Sequence, residues 1–252
     1  MSTSGTHPTT VGWFEIAATD PELNKQFYQR IFDWQFTSFG PGYYTITAPG
    51  APSSMGALRR GSTDALWISV VCDDIAATIP HLESLGAKVF EDPARTAAGD
   101  LHAVITDVQG NKLGLFEPAV REARSAPVPN ATAWFEIGTT DFAATRKFYE
   151  QAFGWKYERD EAAEGAIYYS IHPGGSKEPI GGTMDVSTLP NPADYAIPGL
   201  LVTDVPDLLA RCEQAGGQRL MDPFSDATGL IIGQFTDPFG NRWTAFAQPS
   251  DS

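Results

Sequence analysis

A chain of 252 residues has room for two domains of ordinary size, and its 17 Lys and Arg against 31 Asp and Glu leave a formal charge of −14. A surface that anionic repels phosphate backbones and anionic lipid, which argues against nucleic-acid and membrane-surface partners. No run approaches the roughly 18 apolar residues of a membrane span. The N-terminus MSTSGTHPTTVG carries no signal-peptide pattern, so a cytoplasmic location is expected. Cys72 and Cys212 are too few for a disulfide framework or a zinc site and are expected to be reduced thiols.

In chain order, the first periodic stretch is WFEIAATD at 13–20, whose alternation predicts a short strand. Asp20 and Pro21 then open a helix as N-cap and first-turn residue, with Leu23, Phe27 and Ile31 at helical spacing. Strands follow at YYTITAPG, SSMGALRR and ALWISVV, a helix at DDIAATIPHLESLG, and strands at HAVITDV and KLGLFE. The Pro-bearing segment 119–131 reads as a linker.

After it the pattern begins again. WFEIGTTD starts at Trp134, 121 positions after Trp13, and positions 13–34 and 134–155 share ten identities in 22. Later landmarks repeat 130 positions apart: Asp74 with Asp204, Asp92-Pro93 with Asp222-Pro223, and DVQGN at 107–111 with DPFGN at 237–241. The chain is a tandem duplication. Each half is β-α-β-β-β written twice, giving expected domains at 11–118 and 132–248.

An aromatic-bearing strand, a capping Asp, a helix ending in FY and FGW, and a late D-P-x-G-N turn resemble the vicinal oxygen chelate superfamily. Glyoxalase I, fosfomycin and bleomycin resistance proteins and extradiol dioxygenases belong to it. The resemblance spans both copies and implies an α+β fold: four βαβββ units forming two cupped mixed sheets, with helices on the convex side. In metal-dependent members the ligands stand on the first and last strands of a unit. The matching positions here hold Trp13, Trp67, Trp134, Ile197, Gly114 and Thr244, none of which offers an imidazole or carboxylate. The scattered His7, His81, His102 and His172 do not restore such a set, so no metal and no cofactor are expected.

With the family register, Trp13, Glu15, Trp134 and Glu136 face the cups while Phe14 and Ile16 pack under the helices. Trp67, Gly114, Phe116, Thr244 and Phe246 would also look inward, and Gly114 would leave room for a ligand. The doublets Tyr43-Tyr44 and Tyr168-Tyr169 alternate faces, so one of each reaches a cup; Tyr44 and Tyr169 are assigned to it. An aromatic cup with one carboxylate stacks planar molecules and offers a base or a cation partner. Glycine pairs such as Gly181-Gly182 lack phosphate-loop spacing. The leading expectation is metal-independent binding of a small, planar, aromatic molecule. One alternative is a metal-independent enzyme using Glu15 or Glu136 as general base, and a second is a metal-dependent glyoxalase or dioxygenase. A small molecule is the expected partner. Monomer and homodimer both stay open, since one chain already supplies four units.

Overall fold

Four aspartates start the four helices. Asp20, Asp74, Asp141 and Asp204 each accept a hydrogen bond from a backbone N–H in the first turn of the helix that follows. The computed structural model describes residues 11–249 apart from 98, 120–127, 164 and 175, so most of the expected linker and His7 lie outside the described residues.

The first half contains β1 (Val11–Ala18), α1 (Pro21–Phe32), β2 (Gln35–Gly40), β3 (Tyr43–Thr47) and β4 (Gly56–Arg60). It continues with β5 (Ala65–Val71), α2 (Ile75–Ser84), β6 (Lys88–Arg95), β7 (Leu101–Thr106) and β8 (Lys112–Glu117). The second half repeats this as β9 (Thr132–Thr139), α3 (Phe142–Phe153), β10 (Lys156–Arg159), β11 (Ile167–His172) and β12 (Gly181–Asp185). Its last unit holds β13 (Tyr195–Leu201), α4 (Val205–Gln214), β14 (Gln218–Ser225), β15 (Ile231–Thr236) and β16 (Arg242–Ala247).

Each half forms one eight-stranded sheet, ordered β2-β3-β4-β1-β5-β8-β7-β6 and β10-β11-β12-β9-β13-β16-β15-β14. Two βαβββ units meet antiparallel through their first strands, β1 on β5 and β9 on β13, while β1 on β4 and β5 on β8 run parallel. The expected α+β architecture of four units in two mixed sheets is therefore what forms.

The hydrophobic cores run across the two halves rather than within each. Phe14, Ile16, Tyr28 and Trp34 of the first unit share one core with Leu200, Leu208, Phe235 and Trp243 of the fourth. Ile68, Ile75 and Leu113 of the second unit share another with Phe135, Phe148 and Trp155 of the third. Fully burying each such side chain contributes about 1.5–3 kcal/mol. The helix-bearing faces are thus turned toward each other, and the opposite face of each sheet is the cup.

Two matching hydrogen bonds cross this seam. Tyr28 of α1 donates to Asp237, and Tyr149 of α3 donates to Asp107 at 2.8 Å. The FY pair of α1 and α3 and the Asp of each D-x-x-G-N turn are therefore partners across the duplication. Within its turn, Asp237 also accepts from the backbone N–H groups of Phe239 and Asn241 at 2.9 and 2.8 Å.

Candidate functional site

The first cup is built on the alternate residues of β1. Glu15 lies opposite Ala57 on one side and Trp67 on the other, and Ala17 opposite Arg59 and Ala65. Phe14 and Ile16 point the other way and are fully buried under the helices. The Glu15 carboxylate, buried at 4% exposure, accepts from Arg59 Nε, and Arg59 Nη2 donates to Glu91 Oε2 at 2.5 Å. One guanidinium thus answers two carboxylates, the arrangement a buried charge requires. Arg59 also stands 5.2 Å from the ring centre of Trp67, which is itself 1% exposed.

Trp13 stacks flat on Phe116 at 4.8 Å, and its indole Nε1 is buried with no hydrogen-bond partner. Gly114 corrects the sequence expectation. A Cβ there would lie 2.1 Å from Ser69 Oγ and 3.0 Å from Trp67 Cδ1, so the space beside it belongs to those side chains and not to a ligand. A cleft of about 250 Å³ lies elsewhere in the cup, lined by Ala17, Ala65 and Trp67. Arg59, Glu91, Phe90 and Lys112 stand at its sides, and the Arg60–Thr63 turn forms its rim.

The second cup uses the same strands with different side chains. Glu136 lies opposite Gly182 and Ile197, and its carboxylate accepts from the Tyr195 hydroxyl at 2.5 Å and from Gln234 Nε2 at 2.9 Å. Gln234 Oε1 in turn accepts from Arg242, whose guanidinium caps the Tyr195 ring at 3.7 Å. Tyr195 lies over Gly138, where a Cβ would come within 2.1 Å of the ring. Trp134 Nε1 donates to Tyr168 at 3.0 Å, and Tyr168 covers Gly182. Thr244 is buried beside this network and Phe246 is half-buried. A ring and a guanidinium therefore fill in this cup what Ala65 leaves open in the first.

The tyrosine assignment is also corrected. Tyr44 pairs with Leu58 on the helix-bearing face and donates to Glu22 of α1, while Tyr169 stacks on Phe142 of α3 at 4.1 Å. Their neighbours Tyr43 and Tyr168 face the cups. Tyr43 lies opposite Arg59, and burial together with the Glu15 carboxylate pushes its hydroxyl up to about 12. Arg59, Glu91, Tyr195, Gln234 and Arg242 were not singled out in the sequence. A charge on an inward strand position is the one signal that could have found Arg59.

Burial pushes the Glu136 carboxyl above its usual 4.5, against the opposing pull of Tyr195, Arg242 and Gln234. The folded chain therefore holds that proton more tightly than the unfolded chain. The resulting stability is fully present below the ordinary glutamate value and is lost as pH rises through the folded one. Urea midpoints measured upward from pH 4.5 should fall more steeply in the parent than in Glu136→Gln. Parallel slopes would assign the pH dependence elsewhere.

The positions that the resemblance implies for a metal hold Trp, Ile, Gly and Thr side chains. Glu15 is neutralised by Arg59 and Glu136 is bonded by neutral groups. Among the described residues, no three His, Cys, Asp or Glu side chains stand close enough to hold an ion, so the donors present do not fit one. His81 meets the Gln151 carbonyl at 3.0 Å, and His172 lies 3.7 Å from Glu158. Among the described residues no helix is long and apolar enough to cross a membrane.

The chain is 32% identical over 124 residues to the anthracycline biosynthesis protein DnrV of Streptomyces peucetius, covering 44% of this chain and 45% of that one. It is 27% identical over 112 residues to the Mycobacterium bovis protein CFP32, covering 42% and 41%. The matches thus span less than half the length of these curated relatives. Among solved structures, the fold is similar to the Mn(II)-bound glyoxalase of Novosphingobium aromaticivorans, with a TM-score of 0.66 and 16% identity over 96% of this chain and 82% of that one. It is also similar to the 2,3-dioxygenase LapB of Pseudomonas sp. KL28, with a TM-score of 0.65 and 14% identity over 98% and 94%. At such identities the likeness concerns the fold. The family model of the Glyoxalase/Bleomycin resistance protein/Dioxygenase superfamily matches residues 10–115 and 131–245, one copy on each half, and the chain belongs to that superfamily.

Proposed function

We propose that the chain is a metal-independent binding protein that holds a small planar molecule in the cup of its first half. The observation that carries this is the difference between the cups. The second is occupied by Tyr195 under Arg242, whereas the first keeps a cleft of about 250 Å³ over the fully buried Trp67. The exposed Phe90 ring at the side of the cleft can stack a planar molecule, and a carboxylate already joined to a guanidinium is a poor general base, which favours holding over turnover. The donor set of both cups supports a role without a bound metal.

Ala65→Tyr tests the proposal by placing in the first cup the residue that the second has there. Calorimetric titration of the parent with planar aromatic probes should show saturable binding of one probe per chain, with the probe recovered unchanged. The variant should keep its circular dichroism and lose that binding. Binding that survives in Ala65→Tyr, or stoichiometric metal in the purified protein, would overturn the proposal.

The catalytic alternative rests on Glu136, a buried carboxylate with an elevated proton affinity and no direct cation. It requires conversion of a bound substrate that Glu136→Gln abolishes and Glu15→Gln leaves intact.

A further inference from the structure

Although the chain carries a formal charge of −14, the cleft of the first cup has a cation at its side that no carboxylate pairs with among the described residues. Arg59 and Lys112 stand at its sides with the carboxylate Glu91, while Arg60, next to Arg59 on β4, turns its side chain to the other face. Arg59 is committed to Glu15 and Glu91, and Arg60 donates to the Thr19 carbonyl at 3.2 Å. Lys112 differs from both. Its ammonium sits 4.1 Å from the ring centre of Phe90 and 5.9 Å from that of Trp67, and among the described residues no carboxylate pairs with it. A cation resting on ring faces beside an open cleft keeps its charge available to whatever enters.

The second copy offers an internal comparison. Arg242 stands where Lys112 does, because each pairs with the last threonine of the preceding strand, Thr236 and Thr106. Arg242 is consumed by Gln234 and by the Tyr195 ring, and Leu220 and Ile197 replace Phe90 and Trp67. Among the described residues only the first cup therefore combines an open cleft, an exposed ring and an uncommitted ammonium.

We infer that the first cup selects planar aromatic molecules carrying a single negative charge, and that Lys112 is the residue that selects them. The ring lies over Ala65 beside the exposed Phe90, and the anionic group, a carboxylate or a phenolate, meets the Lys112 ammonium. Glu91 on the Arg59 side disfavours a second negative charge. A cleft of about 250 Å³ falls below the roughly 300–1,000 Å³ of sites for drug-sized ligands, which points to one ring or a fused pair. The inference rests on the proposal that this cup takes a planar ring.

The probes are 2-naphthoate, its neutral amide 2-naphthamide, and naphthalene-2,6-dicarboxylate, titrated calorimetrically into the full chain at low and high salt. The monoanion should bind about fivefold more tightly than the amide, the contribution of one partly solvated ion pair, with the gap closing as salt rises. Lys112→Gln should abolish the gap while leaving amide affinity in place, and Lys112→Arg should retain it. Equal affinity for acid and amide in the parent would overturn the inference and spare the binding proposal. So would a preference that survives Lys112→Gln, or tightest binding of the dianion. If none of the three probes binds, the binding proposal itself fails.

Discussion

Asp237→Ala should lower the stability of the chain by about 3–5 kcal/mol, the range for removing a buried charged acceptor and stranding its donors. Asp237 is 2% exposed. Its Oδ1 closes the turn by accepting from the Phe239 and Asn241 backbone N–H groups, and its Oδ2 accepts from Asn241 Nδ2 at 2.8 Å and from Tyr28 across the seam. Burial, reinforced by the neighbouring Asp237 carboxylate, holds the Tyr28 hydroxyl protonated far above neutrality, so it donates throughout the usual pH range. Tyr28 is fully buried, and without Asp237 its hydroxyl faces the aromatic cluster of Phe32, Trp34 and Trp243. Tyr28→Phe removes only the crossing bond and should cost about 1–2 kcal/mol. Equilibrium urea denaturation measures both. A loss below about 1 kcal/mol for Asp237→Ala would show that the seam is held by apolar packing alone.

The bond also explains why two motifs so far apart in the chain repeat together. The FY pair and the D-x-x-G-N turn serve as local helix and turn residues, and their side chains also meet in crossed pairs, first unit with fourth and second with third. Copying one half therefore copies both partners of each bond. A cleft of about 110 Å³ remains at this seam, between Phe14, Met55, Ile68 and Phe135, smaller than the one in the cup.

Much of this was legible in the sequence, because period-2 alternation and the tandem repeat are local signals. Trp13 and Glu15 were placed opposite Phe14 and Ile16, and that is how β1 is turned. The tyrosine doublets were misplaced for a physical reason. Between β1 and β3 the chain passes through a helix, an edge strand and a turn, so parity cannot be carried from Glu15 to Tyr43. It is set by the pairing of Tyr43 with Arg59, and a one-residue slip reverses both tyrosines. The space assigned to Gly114 was lost to Ser69 on the neighbouring parallel strand, a contact absent from any local pattern. The partners of the two glutamates were hidden by distance along the chain. Arg59 stands 44 residues from Glu15, and Gln234 stands 98 from Glu136.

Those partners make the strongest test of how the cups diverged. Arg59→Met installs the residue that the second copy carries at the same register position, Met184 opposite Gly138. There Glu136 is served by Tyr195 and Gln234, whereas the first copy has Ala65 and Val104 at those places, and neither side chain can donate a hydrogen bond. Arg59→Met alone should therefore destabilise the chain by about 3–5 kcal/mol, because the carboxylate it leaves behind is buried. Adding Glu15→Gln removes the orphaned charge and should bring the double variant back to within about 1–2 kcal/mol of the parent, measured by the same denaturation. The coupling between the two sites is what matters. If the two losses simply add, Arg59 stabilises the sheet through Glu91 or through its contact with Trp67, and Glu15 must find its partner elsewhere in the cup. If they cancel, each copy carries its own solution to one buried carboxylate, and only the first copy's solution leaves a cleft above it.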